Sequence, residues 1–259
     1  MAGDINPMEQ FQVEPVFGHH IVLGGYDVSF TNSALFMVVV FMLLALFMAG
    51  GLKRQLIPGR WQLMAESAVG FIDDMMRVNI GPEGKKFAPY IFSIFMFILF
   101  ANLVGVLPLA IVPHLHTFAV TSHITVTAVL AFLSFGIVLA VGFWRHGLHF
   151  FSLFVPHGAP AWLMPVIIPV EFVSFMVRPF SLGLRLFVAM TAGHILLEVF
   201  GSFVVQGINA GGPLGWIVTL LSFVMIVGVS ALELLVCAIQ AYVFALLTSL
   251  YLNDAVHLH

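Results

Sequence analysis

The hydrophobic positions of this chain fall into long unbroken runs rather than the alternating or 3.6-residue stripes of a soluble fold. The first run, from about Ser33 to Leu52, is long enough to cross a hydrocarbon core as a helix. A second extends from about Pro89 to Val112, and a third from about Ile124 to Phe143. Between the first two the pattern changes. Leu63, Ala65, Val69, Phe71, Ile72 and Met76 alternate with Glu66, Asp73, Asp74 and Arg77, which predicts an amphipathic helix over 61–80 lying on a membrane surface. Gly81, Pro82 and Gly84 end it.

Two further runs, 165–205 and 213–252, stay apolar for roughly forty residues each, about 60 Å as a helix against a hydrocarbon core of about 30 Å. No turn signal or charged loop divides either run. Pro169 and Pro179 are expected to bend the first without ending it. The pattern predicts two long, tilted, antiparallel helices joined by Gln206 to Gly212. The expected fold class is therefore all-α and polytopic: about five membrane helices plus one surface helix, forming a single integral membrane domain over 1–259. No internal repeat suggests an inverted-repeat transporter.

Charge sets the orientation. Lys53, Arg54 and Arg60 follow the first run, Lys85 and Lys86 precede the second, and Arg145 ends the third. The positive-inside rule places these flanks inside, the 1–30 segment outside and the C-terminus inside. Residues 1–16 carry three acids and no lysine or arginine, unlike a cleaved secretory signal or an organelle transit peptide.

Composition agrees with the pattern. Hydrophobic residues make up 61% of the chain and charged residues 8%, where a soluble domain carries about 25% charged residues. The net charge of −3 supplies no basic field, so no nucleic-acid partner is expected. One cysteine, Cys237, allows no intramolecular disulfide and no cysteine metal cluster.

Candidate chemistry lies in the charges inside the long runs, because an ionisable group in hydrocarbon is costly and normally faces a partner, a cavity or a pathway. These are Glu171, Arg178, Arg185, His194, Glu198 and Glu233, with Gln240 beside them. Arg178 and Glu198 can also be read as interfacial residues near helix ends, and His194 as a packed core histidine. For Arg185, deep in its run, such a reading is weak. Glu171, Arg178 and Arg185 are seven residues apart and share a face, as do His194 and Glu198 at four. Arg185 and His194, nine apart, point to opposite sides of a straight helix. Glu171 and Glu198 lie about 40 Å apart along the axis with Arg185 near the middle. A hairpin would bring Glu233 near His194 and Gln240 near Arg185. Carboxylate and imidazole suit proton relay, whereas arginine stays protonated and suits a barrier. The residues suggest a proton path in two halves interrupted by Arg185.

The stretch Ser181-Leu-Gly-Leu-Arg-Leu-Phe with Ala192-Gly193, and the later run from Ile239-Gln-Ala-Tyr to Tyr251-Leu, resemble the two signatures of subunit a of the F-type ATP synthase membrane sector. The resemblance covers the whole chain and is closest to the alphaproteobacterial and mitochondrial branch. It implies a non-catalytic proton-channel subunit without a cofactor, in a bacterial inner membrane. Its implied partners are a c-subunit rotor ring, peripheral-stalk b subunits, the rest of the F1Fo complex and membrane lipid. Arg185 would match the stator arginine that faces the rotor carboxylate, and Gln240 the glutamine near it. Glu171 would match the acid of the inner half-channel, and His194 and Glu233 a pair lining the outer one. Ala189 departs from many members, which have asparagine there. Two other classes remain open at this point: a free-standing proton-coupled transporter and a histidine-rich membrane metalloenzyme. For the latter, His114, His116 and His123 cluster near the expected outer loop, and His146 and His149 near the inner one. Their spacings match no strong ligand motif, and His123 is instead a further candidate for the outer channel.

Overall fold

The computed structural model describes residues 15, 22–23, 26–27, 29–51, 59–106, 119–154 and 163–257. Most of the 1–30 segment falls outside them, as do Lys53, Arg54, His114, His116 and residues 155–162. A two-residue strand pair, β1 (Val22–Leu23) and β2 (Tyr26–Asp27), precedes α1 (Asn32–Gly51), α2 (Arg60–Asn79), α3 (Ala88–Val106), α4 (Ile124–His146), α5 (Met164–Ala210) and α6 (Gly212–Val256). Short 3-10 helices occupy Pro82–Lys86, Val120–Ser122 and Gly147–Phe154. All the α-helices except α2 are long and apolar enough to cross a membrane. The fold is the all-α polytopic membrane architecture that the hydrophobic runs predict. A continuous helix meets most of its interior backbone hydrogen bonds within itself, which an apolar run in lipid requires.

The long runs are each one continuous helix, of 47 residues for α5 and 45 for α6. Pro169 and Pro179 lie inside α5 without ending it. The expected connection over Gln206–Gly212 is corrected: residues through Ala210 are helical, and the turn is Gly211 and Gly212, with φ of 61° and 68°. Gln206 to Ala210 carry no side chain that breaks a helix. Positive φ does, and only glycine adopts it without strain.

The described contacts divide the chain into two compact units. The first comprises residues through Leu44, Phe97–His123 and Phe187–Gln240. Here α5 and α6 run antiparallel at backbone contact. A Cβ on Gly215 would lie 2.4 Å from the Gly207 carbonyl oxygen, and one on Gly207 would lie 2.4 Å from Thr219 Oγ1. Further along, Gly193 faces Glu233, and Cys237 Sγ lies 3.9 Å from Met190 Sδ. Small residues allow such close approach, and in lipid the packing they permit is a main source of helix association.

The second unit comprises Ala45–Met96, Ile124–Leu186 and Ala241–His259. In it α2 buries Ala65, Ile72, Met75 and Met76 along one face, as the amphipathic pattern requires. Gly81, at φ 83°, turns the chain into the 3-10 helix before α3. Phe150 is buried against Gly142, where a Cβ would come within 2.3 Å of its ring, and it joins Phe143 and Phe175 in a phenylalanine cluster. The last turns of α6 are tied down three times. Asn79 Nδ2 donates to Ser249 Oγ at 2.6 Å, Arg178 Nη1 to Asp254 Oδ2 at 2.8 Å, and His146 Nε2 to the Val256 carbonyl at 3.2 Å. On the exposed surface Arg145 pairs with Glu83 and holds its carboxyl below the usual carboxylate range.

Gly215→Ala should destabilise the assembled protein by about 1–3 kcal/mol through overpacking, read as a lowered thermal unfolding midpoint. Gly228→Ala, where an added Cβ meets nothing within 4 Å, should be neutral or mildly stabilising because alanine favours helix. Because Glu83's pKa is lowered in the folded state, the Arg145 contact should stabilise the fold above the ordinary carboxylate value of 4.5 and be lost as pH falls through the depressed value. Exchange protection of residues 83–86, taken against the intrinsic rate at each pH, should therefore fall under acid, and Glu83→Gln should abolish that change.

Candidate functional site

The polar groups of the first unit gather where α3, the 3-10 helix Val120–Ser122, α5 and α6 meet. His194, on α5, and Glu233, on α6, stand with Nε2 and Oε1 3.9 Å apart, and their side chains are 10% and 2% exposed. The antiparallel register that pairs Gly193 with Glu233 makes them neighbours, as the hairpin argument predicts. At 3.9 Å the contact is an ion-pair distance rather than a hydrogen bond. Neither carboxylate oxygen of Glu233 has a hydrogen-bond partner among the described residues. A buried carboxylate needs a charge or hydrogen-bond partner, and the His194 imidazole is the basic group beside it.

Clearance for this pair comes from glycines. A Cβ on Gly193 would sit 2.6 Å from Glu233 Oε1, so a larger residue there would displace the carboxylate. On α3, a Cβ on Gly105 would sit 2.8 Å from the Ala119 Cβ and 3.7 Å from His194 Nε2. The segment bearing His123 is joined to α5 through Thr191 Oγ1, which donates to the Ser122 carbonyl at 3.4 Å, one turn before His194. Burial holds the His123 imidazole below the usual histidine range. Thr121 is buried, and its hydroxyl is unpartnered among the described residues. Asn102, fully buried on α3, donates through Nδ2 to the Cys237 carbonyl at 3.3 Å, one turn beyond Glu233. Glu198 lies half-buried one turn after His194, and Gln240 half-exposed on α6.

The sequence reading missed Gly193, Gly105, Thr121 and Asn102. Gly193 stood inside a recognised motif, but nothing in a glycine's identity tells which side chain fills the space it leaves. Asn102 carried a signal, a lone amide in an apolar run, of the kind that singled out the charges.

Glu171 and Arg185 belong to the second unit. Both are exposed on α5. Arg185 has no hydrogen-bond or ion-pair partner among the described residues. Arg178, midway between them in sequence, behaves differently. It binds Asp254 and lies over the Phe175 and Tyr251 rings at 5.2 and 4.9 Å. The pairing of Arg178 with Asp254 was invisible in a helix-face argument, since the partner comes from the far end of α6. Among the described residues no three histidine, cysteine, aspartate or glutamate side chains are placed to hold a metal.

Comparison with known proteins adds an independent line. A family model described as ATP synthase A chain matches residues 32–253. Relatives named ATP synthase subunit a include one from Sphingopyxis alaskensis, 65% identical over 259 residues, and one from Rhizorhabdus wittichii, 62% identical over 258. In both cases the alignment covers 100% of this chain and 98% of the relative. The relative from Zymomonas mobilis is 58% identical over 265 residues, with 100% and 99% covered. With a family model spanning most of its length and full-length relatives above half identity, the chain belongs to the ATP synthase A chain family.

Proposed function

We propose that this chain is the proton-translocating stator subunit of an F-type ATP synthase in a bacterial inner membrane. In this reading it is a single membrane domain that carries no catalytic site of its own. It works against a c-subunit rotor ring, is held by peripheral-stalk b subunits, and couples proton flow to rotation and ATP synthesis. The observation that carries the reading is the buried His194–Glu233 pair, a base and an acid 3.9 Å apart between two apolar helices.

The chemistry runs in two halves. A proton from outside passes His123, Glu198, Glu233 and His194 and neutralises a carboxylate on the rotor. The neutral carboxyl then moves through lipid at far lower desolvation cost than the ion. After nearly a full turn it meets an inner half-channel near Glu171 and releases its proton. Arg185 separates the halves. Its guanidinium is always charged, stands exposed beside the exposed apolar Leu184 and Val188, and has no carboxylate partner among the described residues. A permanent cation on an apolar face calls for an anion from another chain, which the ionised rotor carboxylate supplies. Gln240 assists Arg185 there. The membrane potential biases the cycle, at about 2.3 kcal/mol per charge per 100 mV.

Arg185→Ala is expected to abolish proton-driven ATP synthesis in a complex that still assembles, and normal coupled synthesis would refute its role. His194→Ala and Glu233→Ala should slow proton flux into membrane vesicles by about two orders of magnitude, the scale of a positioned proton-transfer group. Gly193→Ala should slow flux with both groups still present, because it displaces Glu233. Glu233→Asp, with its shorter side chain, should recover part of that loss in the double variant, a coupling that additive effects would not produce.

A further inference from the structure

Within the second unit, the end of α1, one face of α2 and the start of α3 enclose a groove of about 800 Å³. Its floor is apolar, formed by residues such as Met48, Val69, Ile72 and Phe92. Glu66, Asp73 and Lys85 also line it, so the groove carries both signs of charge. Gln62 lines it as well. This side chain is nine-tenths buried, and its amide nitrogen donates to Glu66 Oε1 at 2.8 Å. Its amide oxygen has no hydrogen-bond partner among the described residues. None of these groups takes part in the proton path.

We propose that this groove binds one phospholipid with a primary-ammonium zwitterionic headgroup, of the phosphatidylethanolamine class. The acyl chain lies on the apolar floor, where each buried methylene contributes. Glu66 and Asp73 are acceptors for the ammonium, and Lys85 meets the phosphate. The placement suits such a ligand, because α2 is amphipathic and lies between two helices able to cross a membrane. Charge selects the headgroup. Among the described lining residues two carboxylates stand against one ammonium, a balance that disfavours an anionic lipid. A quaternary ammonium cannot donate hydrogen bonds to the acceptors.

The groove can be closed without disturbing its walls. Gly70 lines it, and a Cβ built there meets nothing within 4 Å. Gly70→Trp should therefore fill the space while the helix is kept.

The test uses the intact complex reconstituted in vesicles of equal phosphatidylethanolamine, phosphatidylcholine and phosphatidylglycerol, each in turn carrying a trace of photo-reactive chain. Labelling of this subunit is read by mass spectrometry. Phosphatidylethanolamine should label peptides of α2 and early α3 about fivefold more than either other lipid, the ratio one favourable ion pair gives. Gly70→Trp should remove the label there while the complex co-purifies with all its subunits. Glu66→Gln/Asp73→Asn leaves the groove open and should bring ethanolamine and choline lipids to parity. Equal labelling by the three headgroups in the unaltered protein would overturn the proposal. So would labelling that persists in Gly70→Trp, or a photo-reactive residue at position 70 that captures another protein chain in place of lipid.

Discussion

The structure depends first on how closely α5 and α6 approach. Gly207 and Gly215 bring the two backbones into contact beside the Gly211–Gly212 turn, and Gly193 keeps space open opposite Glu233. In lipid no hydrophobic driving force pulls helices together, so close packing and interhelical polar contacts must do so. The glycines supply the packing and thereby fix the register. Once Gly207 meets Thr219, the antiparallel register brings position 193 opposite 233, and the acid of one helix lands beside the histidine of the next. The site is thus a consequence of backbone contact some fourteen residues away along α5.

Two arginines seven residues apart show how differently one helix can treat the same charge. Arg178 is neutralised within the chain by Asp254 and stacks on Phe175 and Tyr251. Its pair closes the end of α6 onto the second unit together with the Asn79–Ser249 and His146–Val256 bonds. Arg185 has no such partner among the described residues and is exposed. A guanidinium with its carboxylate at 2.8 Å is a fastening. One left open on an apolar face stores an unmet demand for an anion, and that demand is what a moving carboxylate can satisfy.

Much of this was legible in the sequence because hydrocarbon is a simple solvent. It rewards length and uniform apolarity, so the five long helices and the amphipathic α2 followed from pattern alone. The intramembrane charges announced themselves by cost, and seven- and four-residue spacings sorted them onto faces. The turn after α5 is narrower than the sequence pattern suggests, because the positive φ of Gly211 and Gly212 sets it and the residues before them continue the helix. The Arg178–Asp254 pair and the clearance at Gly193 were not legible for another reason. Both are relations between helices, and a spacing rule within one helix carries no information about what the neighbouring helix presents.

The division of chemistry between the two units carries the last step. The groups proposed for the outer half-channel, His123, His194, Glu198 and Glu233, fall in the first unit, and Glu171 and the two intramembrane arginines fall in the second. A relay needs groups that change charge within a dry, packed setting, where small differences in hydrogen bonding decide who holds the proton. A barrier needs the opposite, a group whose charge never changes. Mixing the two would compromise both, since an arginine beside Glu233 would hold that carboxylate ionised and stop it from accepting a proton. Among the described residues Glu233 pairs with no arginine, and under the proposed function this lets the pair exchange protons while Arg185, elsewhere on α5, keeps the halves apart.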